Sequence, residues 1–128
     1  YIYIVYNTIM TTIQMIIRFQ KADQYSNNIF IVGKEEKEEN YNTLTGYSDK
    51  LKTMGLTTFL PIYSSDKFAT IRFKNNKKFR FVEGNTYALT FEIRKKLHNE
   101  KEFVSCYVLN SKLDSVAPPV DYGDVLEL

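Results

Sequence analysis

Arg72, Lys74, Lys77, Lys78 and Arg80 place five basic side chains within nine residues, with no acidic residue among them. A cluster of one sign of charge is suited to bind phosphates or other anions. Hydrophobic alternation predicts that they sit on a β-hairpin, Ala69 to Lys74 and Lys78 to Val82, around Asn75-Asn76-Lys77. A two-residue turn would mix apolar and charged residues on both faces. A three-residue loop pairs Phe73 with Phe79 and Ile71 with Phe81, and register follows the hydrophobic pattern. That register sets Arg72 opposite Arg80 and Lys74 opposite Lys78. Like charges so placed destabilise a sheet by about a few tenths of a kcal/mol per pair. An anionic partner would neutralise them. The plainer reading is a solvated edge that its lysines protect from aggregation.

A second basic run, Arg94-Lys95-Lys96, stands with Lys101 near the next loop. After it, Val104, Cys106 and Val108 alternate with Phe103, Ser105 and Tyr107. If the first set faces the core, Phe103 and Tyr107 project outward, where aromatic rings stack on bases at about 1–3 kcal/mol each. If both faces are covered, the two rings are core. Phe73, Phe79, Phe81, Tyr87 and Phe91 are expected in the core.

Residues for enzyme chemistry are sparse. There is no Gly-rich phosphate loop and no nucleophile elbow, and a Ser-His-Asp triad would depend wholly on His98. His98 lies in a Lys/Asn/Glu loop, where a solvated imidazole is expected. Cys106 alternates into an apolar face and is expected to be a buried, inert thiol. One Cys and one His make no conventional zinc site, and Glu35-Glu36 and Glu38-Glu39 lack an apolar pocket to tune them. The expectation is a protein that is not an enzyme, with no cofactor and no metal.

The elements that must position these residues are mostly strands. Ile13, Met15, Ile17 and Phe19 alternate with Gln14, Ile16 and Arg18, and Ile29 to Val32 forms a short apolar run. Lys34 to Asn42 is predicted as a charged loop. Ser48 to Gly55 is predicted as a short helix, with Ser48 as N-cap and Gly55 at the stop. Thr57 to Tyr63 is an edge strand by virtue of Pro61. Thr86 to Lys95 and Glu102 to Asn110 alternate cleanly. About seven strands and one short helix make an all-β protein, most simply an antiparallel OB-like barrel, with a β-sandwich as the alternative.

At 128 residues the chain suits one core, and its net charge of +2 conceals a polar distribution. Ala69 to Lys101 carries nine Lys/Arg against three Glu, and Asp114 to Leu128 has four acids and no base. The expected organisation is an N-terminal extension over 1–9 that is non-native or flexible, a single domain over 10–113 and an acidic tail over 114–128. Asn7, Thr8, Thr11, Thr12, Gln14 and Arg18 interrupt the apolar start, which therefore lacks a membrane span and the basic region of a signal peptide. A soluble, intracellular protein is expected, in the cytoplasm, or in the nucleus or virion if viral. Its richness in Asn, Lys, Ile and Tyr is the composition of an AT-rich genome, as in viruses and some bacteria.

The tail interleaves Asp114, Asp121, Asp124 and Glu127 with Val120, Tyr122, Val125, Leu126 and Leu128. With the basic, aromatic small β-domain before it, this plan resembles that of OB-fold single-stranded DNA-binding proteins. The resemblance implies replication-type binding of single-stranded nucleic acid, DNA favoured, with little sequence preference. It also implies partner proteins recruited through the tail. The predicted helix precedes the third strand, whereas an OB-fold carries it between strands three and four. The candidate contacts are Arg72, Lys74, Lys77, Lys78, Arg80, Arg94 and Lys95 on phosphates, and Phe103 and Tyr107 on bases. Four neutralised phosphates give a salt slope of about −3. The alternative is a structural subunit of a homo-oligomeric assembly, such as a viral one, its basic hairpin docked on an acidic surface.

Overall fold

The computed structural model describes residues 6–56 and 59–117. Its elements are β1 (Tyr6–Ala22), β2 (Asn28–Gly33), α1 (Glu38–Thr53), β3 (Ile62–Ser64), β4 (Phe68–Phe73), β5 (Thr86–His98) and β6 (Lys101–Ser115). Among the described residues the protein is mostly β, with one helix and one six-stranded sheet. β1 pairs antiparallel with β2 and β5, β2 with β4, and β5 with β6. β4 meets β6 in parallel at Phe73 and Cys106. The path β1–β2–β4–β6–β5 therefore returns to β1, and β3 adds to β4.

The alternation read from the sequence places one row of each long strand inside. Met15, Ile17 and Phe19 of β1 meet Leu89, Phe91 and Ile93 of β5 and Val104, Cys106 and Val108 of β6, all buried. Phe30 of β2 is at the centre of an aromatic cluster. Its ring lies edge-on to Phe19, Phe73, Phe81 and Tyr87, with centroids 5.3, 5.5, 5.0 and 6.2 Å away.

The basic hairpin does not form. β4 ends at Phe73, and Lys78 to Val82 is not a strand. Arg72 lies opposite Ile29 of β2 instead of Arg80, so the like-charge pairs do not exist. The neighbours of Phe73 are already Asn28 and Cys106. Phe81 turns inward instead and packs 4.9 Å from Tyr87 and 5.6 Å from Phe19, with Phe79 stacked beside it. The Tyr87 hydroxyl accepts a hydrogen bond from the Val82 N–H at 2.7 Å, which fixes this aromatic plug. Burying the rings and separating the charges are both favourable, whereas the hairpin would have aligned like charges.

The helix is longer than expected and starts inside the predicted charged loop. Tyr41, Leu44, Ser48 and Leu51, three and four residues apart, form its buried face. Glu38 and Glu39 in the first turn and Lys50 and Lys52 in the last complement its dipole. Ser48 is therefore not an N-cap. It lies mid-helix, buried, with its hydroxyl unpartnered. The stop is as expected: Gly55 is left-handed at φ 82° and donates its N–H to the Lys52 carbonyl at 2.9 Å.

Residues 6–9, set apart from the domain in the sequence reading, belong to β1 and pair with Leu97 to Arg94. Asp114, assigned to the tail, belongs to β6. Residues 1–5 and 118–128, including Asp121, Asp124 and Glu127, lie outside the described residues. Among the described residues no helix is long and apolar enough to cross a membrane.

Candidate nucleic-acid interface

The rows that point inward leave a second row on the outside of β4, β6 and β5. Ala69, Ile71 and Phe73 are buried, so Thr70 and Arg72 face out, followed by Lys74. On β6 the outward row is Phe103, Ser105 and Tyr107. On β5 it includes Glu92, Arg94 and Lys96, in register with Tyr107, Ser105 and Phe103. The parallel contact of Phe73 with Cys106, extended by the Lys74 N–H donating to the Cys106 carbonyl at 3.0 Å, brings the β4 cations beside this row. A cleft of about 360 Å³ results, lined by Arg72, Lys74, Lys96, Phe59, Phe103 and Ser105 among others.

Of the residues singled out in the sequence, Arg72, Lys74 and Phe103 come together here. Phe103 is 44% exposed and so is not core. Tyr107 lies further along β6, half-buried beneath two cations. The Arg94 guanidinium is 4.6 Å and the Lys96 ammonium 5.0 Å from its ring centre. Arg94 is also bonded to Glu92 at 2.6 Å, and Lys95 to Glu102 at 2.9 Å. Part of the charge expected on phosphates is thus neutralised within the chain. Lys77, Lys78 and Arg80 are exposed on the connection after β4 and line none of the cleft. Sequence reasoning did not single out Phe59. It also left Lys96 off the contact set, although alternation with Arg94 put both on one face.

The β1–β2 loop borders the cleft through Asn27. One Asp23 carboxylate oxygen accepts the N–H of Tyr25 at 2.8 Å and of Asn27 at 2.9 Å. Desolvation opposes ionisation of Asp23. The backbone bonds from Asn27 and Tyr25, the Asn27 amide and the charge of Arg72 outweigh it, holding the carboxyl below its ordinary 3.8. A depressed folded-state value means that this group stabilises the fold above the unfolded value, and that the contribution is lost as pH falls through the folded one. Asp23→Asn is accordingly expected to flatten the acid limb of a stability-versus-pH curve below about pH 4. An unaltered limb, followed by urea unfolding, would place the acid sensitivity elsewhere.

Cys106 is fully buried behind the cleft, and burial drives its thiol far above the ordinary range, with Arg72 opposing only in part. Thiolate is the reactive form. The native protein is therefore expected to resist a disulfide reagent such as Ellman's, and to release one equivalent on denaturation. Rapid labelling of the folded chain would contradict this placement. Among the described residues no three His, Cys, Asp or Glu side chains gather as a metal site would require.

Over the described residues, fold and site together define a mostly β protein with one helix and a basic, aromatic outer face. Compared with family models, curated proteins and solved structures, the chain matches none.

Proposed function

We propose that this protein binds single-stranded nucleic acid without catalysis and with little sequence preference, DNA being the favoured form. The observation that carries the reading is the convergence of Arg72, Lys74 and Lys96 on one cleft with the exposed ring of Phe103. A positive track for phosphates beside a ring for bases is what sequence-tolerant recognition of a single strand needs. A duplex keeps its base faces stacked and out of reach of such a ring.

The strand path supports the same reading. Five strands whose pairing returns on itself suit an OB-like barrel, in which oligonucleotides lie across strands two and three and the loops after strands one and four. Those positions here are β2, β4, the loop holding Asn27, and the β5–β6 turn beside Phe103. The helix, between β2 and β3, departs from that plan.

A fluorescence-anisotropy titration with single- and double-stranded oligonucleotides of equal length tests the function. The single strand is expected to bind more tightly, and absence of single-strand binding at low salt would reject the reading. With the charges of Arg72, Lys74 and Lys96 not paired to a carboxylate among the described residues, the salt slope becomes about −2.

The assembly alternative has one observation of its own. Among the described residues, β1 from Thr8 to Met15 pairs on one side only, with β5. A second copy adding a strand there would give a dimer in light scattering.

A further inference from the structure

Phe59 is the most exposed phenylalanine among the described residues, at 78%. It lies on the connection between α1 and β3, and its backbone is left-handed at φ 53°. A bulky residue meets steric resistance in that region and stays there only when its surroundings fix it. Arg72 fixes it. The Arg72 guanidinium donates to the Phe59 carbonyl at 3.0 Å, and the Arg72 backbone N–H donates to the Pro61 carbonyl at 2.7 Å. The strain does not bury the ring, so packing of Phe59 does not account for it.

Position does. Phe59 and Phe103 together line the 360 Å³ cleft and also border a second hollow of about 660 Å³. The two rings thus mark the divide between the concavities. Arg72, Lys74 and Lys96 lie on the first side, and Glu100, Lys101 and Glu102 on the second, where Glu102 is already paired with Lys95. The first side, with cations and no acid, favours phosphates, and the second, of mixed charge, does not, which leaves the apolar divide for a neutral, flat group.

We propose that Phe59 and Phe103 form a slot for one unpaired nucleobase whose phosphates rest on Lys74 and Lys96, and that Arg72 is a positioning residue holding Phe59 in place. This rests on the single-strand reading and adds to it a particular base site, one ring of which comes from outside the sheet.

The test uses the full chain and two labelled probes: a thymidine oligonucleotide, and an abasic oligonucleotide with the same phosphates. Phe59→Ala is expected to weaken thymidine-oligomer binding by about 5- to 150-fold. It should leave the abasic probe and the salt slope unchanged, because only a stacking partner is lost. Phe59→Trp should retain affinity. Arg72→Lys keeps the charge but not the forked donor. It should weaken the thymidine oligomer alone, and add little to Phe59→Ala in the double variant. If Phe59→Ala binds the thymidine oligomer as tightly as the parent, or loses both probes equally, the slot is wrong while the single-strand reading stands. If the parent protein binds neither probe, the reading beneath it fails as well.

Discussion

Replacing Lys74 and Lys96 together by glutamate is expected to weaken single-strand binding by about 100-fold at about 0.05 M salt. Each phosphate contact on a single strand contributes about 0.7 to the salt slope. Two lost contacts at that salt remove nearly two decades of affinity, and the reversed charges add repulsion. Lys74 is solvent-exposed, and Lys96 lies on the outer face of β5 with its ammonium over the ring of Tyr107, so the fold should persist. Lys77→Glu with Arg80→Glu changes the charge equally, but at positions outside the cleft. That variant should weaken binding by less than about tenfold, through long-range field alone. Equal losses in the two variants would mean that net charge, rather than this face, attracts the ligand.

Phe30→Ala carries the largest expected effect on stability. The side chain is fully buried and is shared by four other rings. Truncating a buried phenylalanine destabilises by about 3–5 kcal/mol, through lost transfer energy and the cavity left behind. Domains of this kind have about 5–15 kcal/mol in total, so much of the margin would go. In a thermal melt the midpoint should fall by about 10–20 °C. A loss under about 1 kcal/mol in urea unfolding would show that the aromatic cluster is not the core. Phe59→Ala is the matched contrast, because that ring is mostly in solvent and its removal should barely move the melt.

The inward rows were legible from the chain alone, because period-2 alternation in β1, β5 and β6 is a local signal. Cys106 was legible for the same reason, whereas alternation put Phe103 and Tyr107 on the opposite row without deciding whether that row is exposed or core. The hairpin misled because its evidence was also local. Alternation from Ile71 to Phe81 fits a hairpin in isolation, but the edge of Phe73 is taken by Cys106, far along the chain. Nothing near Phe73 announces that partner. The helix was half legible: its stop at Gly55 was marked, but its start was hidden because Glu38 and Glu39 resemble a solvated loop. The spacing of Tyr41, Leu44, Ser48 and Leu51 carried the missing signal. Convergence of β4, β6 and the α1–β3 connection on one cleft is tertiary, so Phe59 had no sequence signature.

The central claim is that one outer face, spanning β4, β6 and the end of β5, binds a single strand. Amide chemical-shift mapping of the labelled protein, titrated with a thymidine oligonucleotide, tests it most directly. The account predicts the largest shifts at Arg72 to Asn75, at Lys96, at Phe103 to Tyr107 and at Phe59, with α1 unmoved. Shifts centred on Lys77 to Arg80, on α1 or on the outer edge of β1, or none at all, would contradict it.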